Sequence, residues 1–190
     1  MKNILVALSM LVAVFNVMAQ GHLSFKGIPI EGSMDEFCKK LKGKGYTPVG
    51  RENNKAFFAG DFTGRNVTVG VSSTTDGKAV VMVGVLFDAS GEWNTLVNTY
   101  NYYKDLYTRK YGKPTFSREY NPALSDSNIS LMREVDQGTI VYGSAWKVTG
   151  GDIELTIEKS LGSVYEGLVI IRYRDSQNTE VKIQNDLDDI

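Results

Sequence analysis

Met34, Phe37, Cys38 and Leu41 recur at i, i+3, i+4 and i+7, a spacing that gathers apolar side chains on one side of a helix. Lys39, Lys40, Lys42 and Lys44 fall on the other side or at the end. Ser33 and Glu36 stand at capping-box spacing: the serine oxygen can accept the third helical N–H while the glutamate reaches back to the serine N–H. The pattern therefore predicts a helix starting at Ser33. Gly43 and Gly45 supply its left-handed stop, and the lysines of the last turn complement the negative end of the helix dipole. The stretch before it, "FKGIPIEG" (25–32), reads as an extended arm and turn, with Pro29 holding Ile28 in an extended conformation.

Beyond Gly45 the period falls to two. "YTPVG" (46–50) is a short, weak strand; "AFFAGDF" (56–62), "NVTVGVSS" (66–73) and "AVVMVGVLF" (79–87) are strong ones. Val67, Val69 and Val71 alternate with small or polar residues, as a strand with one buried face requires. "TGRN" (63–66) turns one pair, and Asp76-Gly77 predicts a two-residue hairpin in the next. The 79–87 run is apolar on both faces and belongs in the middle of a sheet.

The longest helix follows. Ser90 is its expected cap; Trp93, Leu96, Val97, Tyr100, Tyr103, Tyr107 and Tyr111 keep helical spacing, and Gly112 with Pro114 ends it. "TFSREY" (115–120) is a strand candidate, and 121–138 a loop carrying a short helix closed by Gly138. Three strands remain, at 139–147, 152–159 and 167–174, the first pair turned by Thr149-Gly150-Gly151. The tail, 175–190, is polar and acidic, so a frayed helix or disorder is expected.

Two halves, 33–88 and 90–174, thus share an order: one helix, then a meander of about four antiparallel strands. The expected class is α+β, a single domain over 20–174 with helices packed on one face of an antiparallel sheet and the other face partly open. A binding function would live on that open face.

The amino terminus reads as a secretory signal peptide: Lys2, an apolar run from Ile4 to Phe15, then Val17 and Ala19 at the spacing signal peptidase recognises, with cleavage after Ala19 (1–19). The run is shorter than the ~20 residues that cross a bilayer, and no comparable run follows, so no membrane span is expected. Lys2 is the only charge in this leader, so 20 of the 21 basic residues remain against 22 acidic ones. A nucleic-acid binder would show a basic excess, and none is expected here. Cys38 is the only cysteine, so no internal disulfide can form and the hydrophobic core must hold the domain.

Cys38 lies past the first helical turn on the apolar side, near Asp35 and Glu36, which suits a small buried hydrophobe better than a thiolate nucleophile. His22, the only histidine, would be the third residue of the processed chain, an end usually poorly ordered; histidine-based nucleophilic catalysis and His/Cys zinc sites are set aside. No Gly-rich phosphate loop is present, and no cofactor or catalytic residue is assigned. Glu154 and Glu158 share one face of a strand, and a pair of carboxylates is all that glycoside cleavage needs, yet alternating acids usually mark a wet side. Asp186, Asp188 and Asp189 lack EF-hand spacing and read as a solvated tail rather than a calcium loop. Tyr102 and Leu106 lie off the helical stripe and are candidate exposed contacts. Ile140, Tyr142, Ser144 and Trp146 share one strand face, which is either core, the weightier alternative, or a binding face anchored by Tyr142 and Trp146.

"FKGIPIEGSMDEFCKKLKGKGY", the Trp/Leu/Tyr helix ending "RKYGKP", and "YRDSQN" followed by "DLDDI" together resemble a group of small secreted proteins of unknown function from Bacteroides-type bacteria. The resemblance covers most of the chain after the leader; it implies export into a diderm envelope and brings no catalytic residues. The repeated helix-plus-meander order is similar to the β-lactamase-inhibitor-protein architecture, whose concave sheet binds another protein; this is a likeness of fold only. The expectation is a periplasmic or secreted binding module whose partner is an unknown protein or peptide of the cell envelope, its oligomeric state open. A carbohydrate-binding or carboxylate-dependent glycan-active protein is the alternative, and a structural component of an envelope assembly a third possibility.

Overall fold

The computed structural model describes residues 21–120, 128–188 and 190, without the side chains of 128–130. The predicted leader therefore lies outside the described residues. A small hairpin comes first, β1 (Ser24–Phe25) and β2 (Ile28–Pro29), followed by α1 (Met34–Gly43). The meander β3 (Thr47–Glu52), β4 (Lys55–Phe62), β5 (Arg65–Ser73) and β6 (Val80–Leu86) leads to α2 (Trp93–Tyr111). Then come β7 (Phe116–Tyr120), α3 (Asn128–Asp136), β8 (Val141–Val148), β9 (Gly151–Lys159), β10 (Gly167–Asp175) and α4 (Ser176–Asp188).

The fold is α+β, and eight strands form one antiparallel sheet in the order β3-β4-β5-β6-β10-β9-β8-β7. The first half is a helix followed by four strands, the second repeats that order with α3 inserted between β7 and β8, and the halves meet where their last strands pair, Val85 opposite Ile171 and Val83 opposite Tyr173. Both edges, β3 and β7, are exposed along their whole length. Pro48, a bulge between Pro48 and Gly50, and the charges of Arg118 and Glu119 blunt those edges against further strand addition.

One contiguous cluster forms the core, drawing on the inward faces of the strands, the hairpin, α1, α2 and α3. The α1 cap forms as predicted, with Glu36 N–H donating to Ser33 Oγ and Ser33 N–H to the Glu36 carboxylate. The inward row of each strand continues into the next: Phe58, Val69, Val85, Ile171 and Leu155 are successive ladder partners. Gly60 belongs to this face because the Tyr46 ring lies over it; a Cβ there would come within 2.3 Å of Tyr46 Cδ1.

Three expectations are corrected. Asp76-Gly77 does not form a two-residue hairpin: Thr74 N–H donates to Ala79 O, and Thr74 Oγ1 and Lys78 N–H both donate to Asp76 Oδ1, making a wider loop. These donors hold the Asp76 carboxyl down at about 2. Ser90 does not cap α2; Glu92 is the N-cap, and Ser90 instead exchanges two backbone hydrogen bonds with Gly167. Of the two alternatives for the tail the helical one is found, as α4, and its first turn is tied down: Asn178 N–H donates to Asp175 Oδ1, while Asn178 Nδ2 donates to both Ile30 O and Val80 O. His22 is ordered and half-buried, with its Nδ1 3.1 Å from Asp175 Oδ1. Among the described residues, no helix is long and apolar enough to cross a membrane.

Candidate functional site

The three sequence-predicted aromatics do not come together. Trp146 is 1% exposed, donates from Nε1 to Gly112 O at 3.0 Å and packs on Tyr107, so it is a core residue and not an exposed anchor. Tyr142 lies on the same covered face, edge-on to Trp93 and Tyr100 with ring centres 5.5 and 5.4 Å away, and its phenol is pushed up by burial and then by Glu119. Only Tyr102, on the outer side of α2, is open to solvent at 47%, with the Arg65 guanidinium 5.7 Å from its ring centre.

The register of the sheet assembles a different surface on the face that α1, α2 and α3 leave free. Its middle row runs across the ladder as Phe57, Gly70, Gly84, Arg172, Glu154, Ala145 and Phe116, each opposite the next. One flanking row is Ala59, Thr68, Leu86, Ile170, Thr156 and Gly143; the other is Lys55, Ser72, Met82, Arg174, Asp152 and Lys147. The paired glycines let large neighbours lie flat. The Phe57 ring and the Leu86 methyl sit 3.6–3.8 Å from the Cβ positions of Gly70, and Leu86 3.6 Å from that of Gly84. Phe57, Met82 and Leu86 are half-buried and Ile170 is 8% exposed, forming an apolar patch on this face.

Beside the patch lies a charge network that is already closed. Arg172 reaches Glu158 in a two-pronged pair at 2.6 and 2.7 Å, touches Thr156 Oγ1 at 3.1 Å and has Glu154 at 3.6 Å. Arg174 holds Asp152 at 3.1 Å and lies 3.9 Å from Glu154. Burial opposes ionisation of Glu158, but the Arg172 hydrogen bonds and Thr156 outweigh it and leave that carboxyl below its usual range. A general acid needs the opposite shift. Glu158 is therefore an anchored anion, with Glu154 beside the same two arginines, and the arrangement suits recognition better than proton transfer. Among the described residues no three His, Cys, Asp or Glu side chains gather as metal ligands.

Phe57, Leu86, Ile170 and Arg172 were absent from the sequence-derived candidates. Their signal was present in the alternation of β10, where Leu168, Ile170, Arg172 and Arg174 occupy the face opposite Val169, Ile171 and Tyr173. Pairing them with Phe57 and Glu154 required the register. The chain matches no family model, and neither a characterised protein nor a solved structure is significantly similar to it.

Proposed function

We propose that the protein is an exported, non-enzymatic binding module that takes up a protein or peptide of the cell envelope on the helix-free face of its sheet. One observation carries this reading: an apolar patch of Phe57, Met82 and Leu86, with Ile170 buried beneath it, lies beside a salt-bridge network in which Arg172 and Arg174 are already paired. Interfaces combine an apolar centre with polar groups that need not be stripped of their partners on docking. The patch provides the first; Arg172 and Arg174, locked to Asp152, Glu154 and Glu158, provide the second. Export rests on the signal-peptide pattern of residues 1–19, which supports a periplasmic or secreted protein.

Gly84→Glu is the discriminating variant. A Cβ at Gly84 makes only ordinary contacts, so a side chain can start there without a backbone clash, and glutamate plants a charge beside the patch. Light crosslinking in native envelope should give a defined adduct with the unaltered protein and with Tyr102→Ala, and none with a Gly84→Glu protein whose circular dichroism is unchanged. An adduct that persists in Gly84→Glu would remove the helix-free face from consideration.

A further inference from the structure

We infer that the cleft between the amino-terminal arm and the last turns of α2 is a second binding site, for a small organic anion with an apolar, ring-sized body. It lies on the covered side of the sheet and stands or falls independently of the helix-free face. Two adjoining cavities, of about 380 and 750 Å³, share Lys26, Lys110 and Tyr173 as common walls. The inner one is lined by Phe62, Tyr103, Leu106 and Tyr107, and the outer one opens past Lys147. The inner volume falls within the range of small-molecule pockets, roughly 300–1,000 Å³.

Two features define the ligand. The hydroxyls around the inner cavity are bonded to one another, Tyr103 to Thr63 at 2.6 Å and Tyr107 to Tyr173, so its interior favours an apolar body. The mouth carries three cations and no anion: no Asp or Glu lines either cavity, and among the described residues Lys26, Lys110 and Lys147 make no ion pair. Lys26 is fixed in place, its ammonium donating to Asp61 O at 3.1 Å and lying 5.7 and 5.9 Å from the Tyr46 and Phe62 ring centres. Lys110 lies over the Tyr111 ring at 4.9 Å. Positive charge held by rings and a carbonyl at the rim of an apolar chamber is left for a carboxylate, sulfonate or phosphate head.

The probe is 2-naphthalenesulfonate, with uncharged 2-naphthol as comparator, titrated calorimetrically into the protein produced from its full-length gene. The expected result is saturable one-to-one binding, at least tenfold tighter for the sulfonate and weakening as salt rises. The double variant K110Q/K147Q changes two exposed side chains; it should weaken the sulfonate at least fivefold and leave 2-naphthol unchanged. Leu106→Trp fills the inner cavity and should abolish both; if that variant does not fold, K110Q/K147Q decides alone. Equal affinity for the two probes, no binding at all, or sulfonate affinity untouched by the lysine substitutions would overturn the assignment.

Discussion

His22 and Asp175, 153 positions apart in the chain, meet with Nδ1 3.1 Å from Oδ1, and the carboxylate they share is 0% exposed. Its second oxygen accepts Leu23 N–H at 2.9 Å and its first also accepts Asn178 N–H at 2.9 Å. One buried carboxylate thus ties the amino-terminal arm to the end of β10 and starts α4. A buried polar group persists where hydrogen bonds replace the lost water, and here two backbone N–H groups donate to the carboxyl with the His22 ring beside it.

Asp175→Ala should cost about 2–4 kcal/mol, since Leu23 and Asn178 would each be left with a buried, unpaired N–H. His22→Ala, which removes only a half-exposed partner, should cost less than about 1 kcal/mol. Urea denaturation of the two variants checks the contrast; equal losses would mean that the imidazole, not the two backbone donors, carries the junction.

Trp146→Ala should destabilise the fold by about 3–5 kcal/mol, the range for emptying a large buried aromatic site. Tyr102→Ala, on the outer side of α2, should stay within about 0.5 kcal/mol. Thermal unfolding of the pair separates core from surface.

Cys38 is buried, and desolvation pushes its thiol above the ordinary value despite the nearby Arg51. Iodoacetamide should therefore leave the native protein essentially unmodified at neutral pH and label it fully in urea. Labelling at the rate of a free thiol would show that α1 opens from the core far more readily than its packing implies.

Stability should decline in alkali. Burial raises the phenols of Tyr100, Tyr107 and Tyr173, and burial followed by Asp61 pushes Tyr46 up to about 12. Each holds its proton more tightly folded than unfolded, where the pKa is about 10. Their contribution is complete below about pH 10 and is lost as pH rises through the folded values, because the unfolded chain releases protons first. Urea midpoints that fall from about pH 10 upward, together with a tyrosinate absorbance step on unfolding, would bear this out.

The elements most visible in the sequence were those whose signal is local. Ser33 and Glu36 announce α1, and the Val67, Val69, Val71 alternation fixes which side of β5 is buried, because each depends on neighbours a few positions away. The face carrying Glu154 and Glu158 was also readable as an alternation. Its partners were not: Arg172 lies opposite both Gly84 and Glu154, from two distant strands, and no local pattern encodes that register. The sequence leaves the tail between helix and disorder for a related reason. Ser176–Asp188 contributes only Asn178 to the interior, so it has no apolar stripe to announce burial; its helix is set by bonds to Ile30 and Val80, far upstream. His22 likewise draws its order from Asp175 rather than from its neighbours.

The strand order carries a consequence for how the molecule comes into being. The seam at its centre joins β6, complete at Leu86, to β10, which begins only at Gly167. A chain emerging from its amino end must therefore wait some eighty residues with the inner edge of its first half unpaired, its most apolar strand facing nothing. When β10 arrives it closes both halves at once, and Asp175, at its last position, then locks down the residue next to the arm's first donor. The last strand made is thus the keystone, and a chain stopped before Gly167 is an open half-sheet primed to pair with the wrong neighbour.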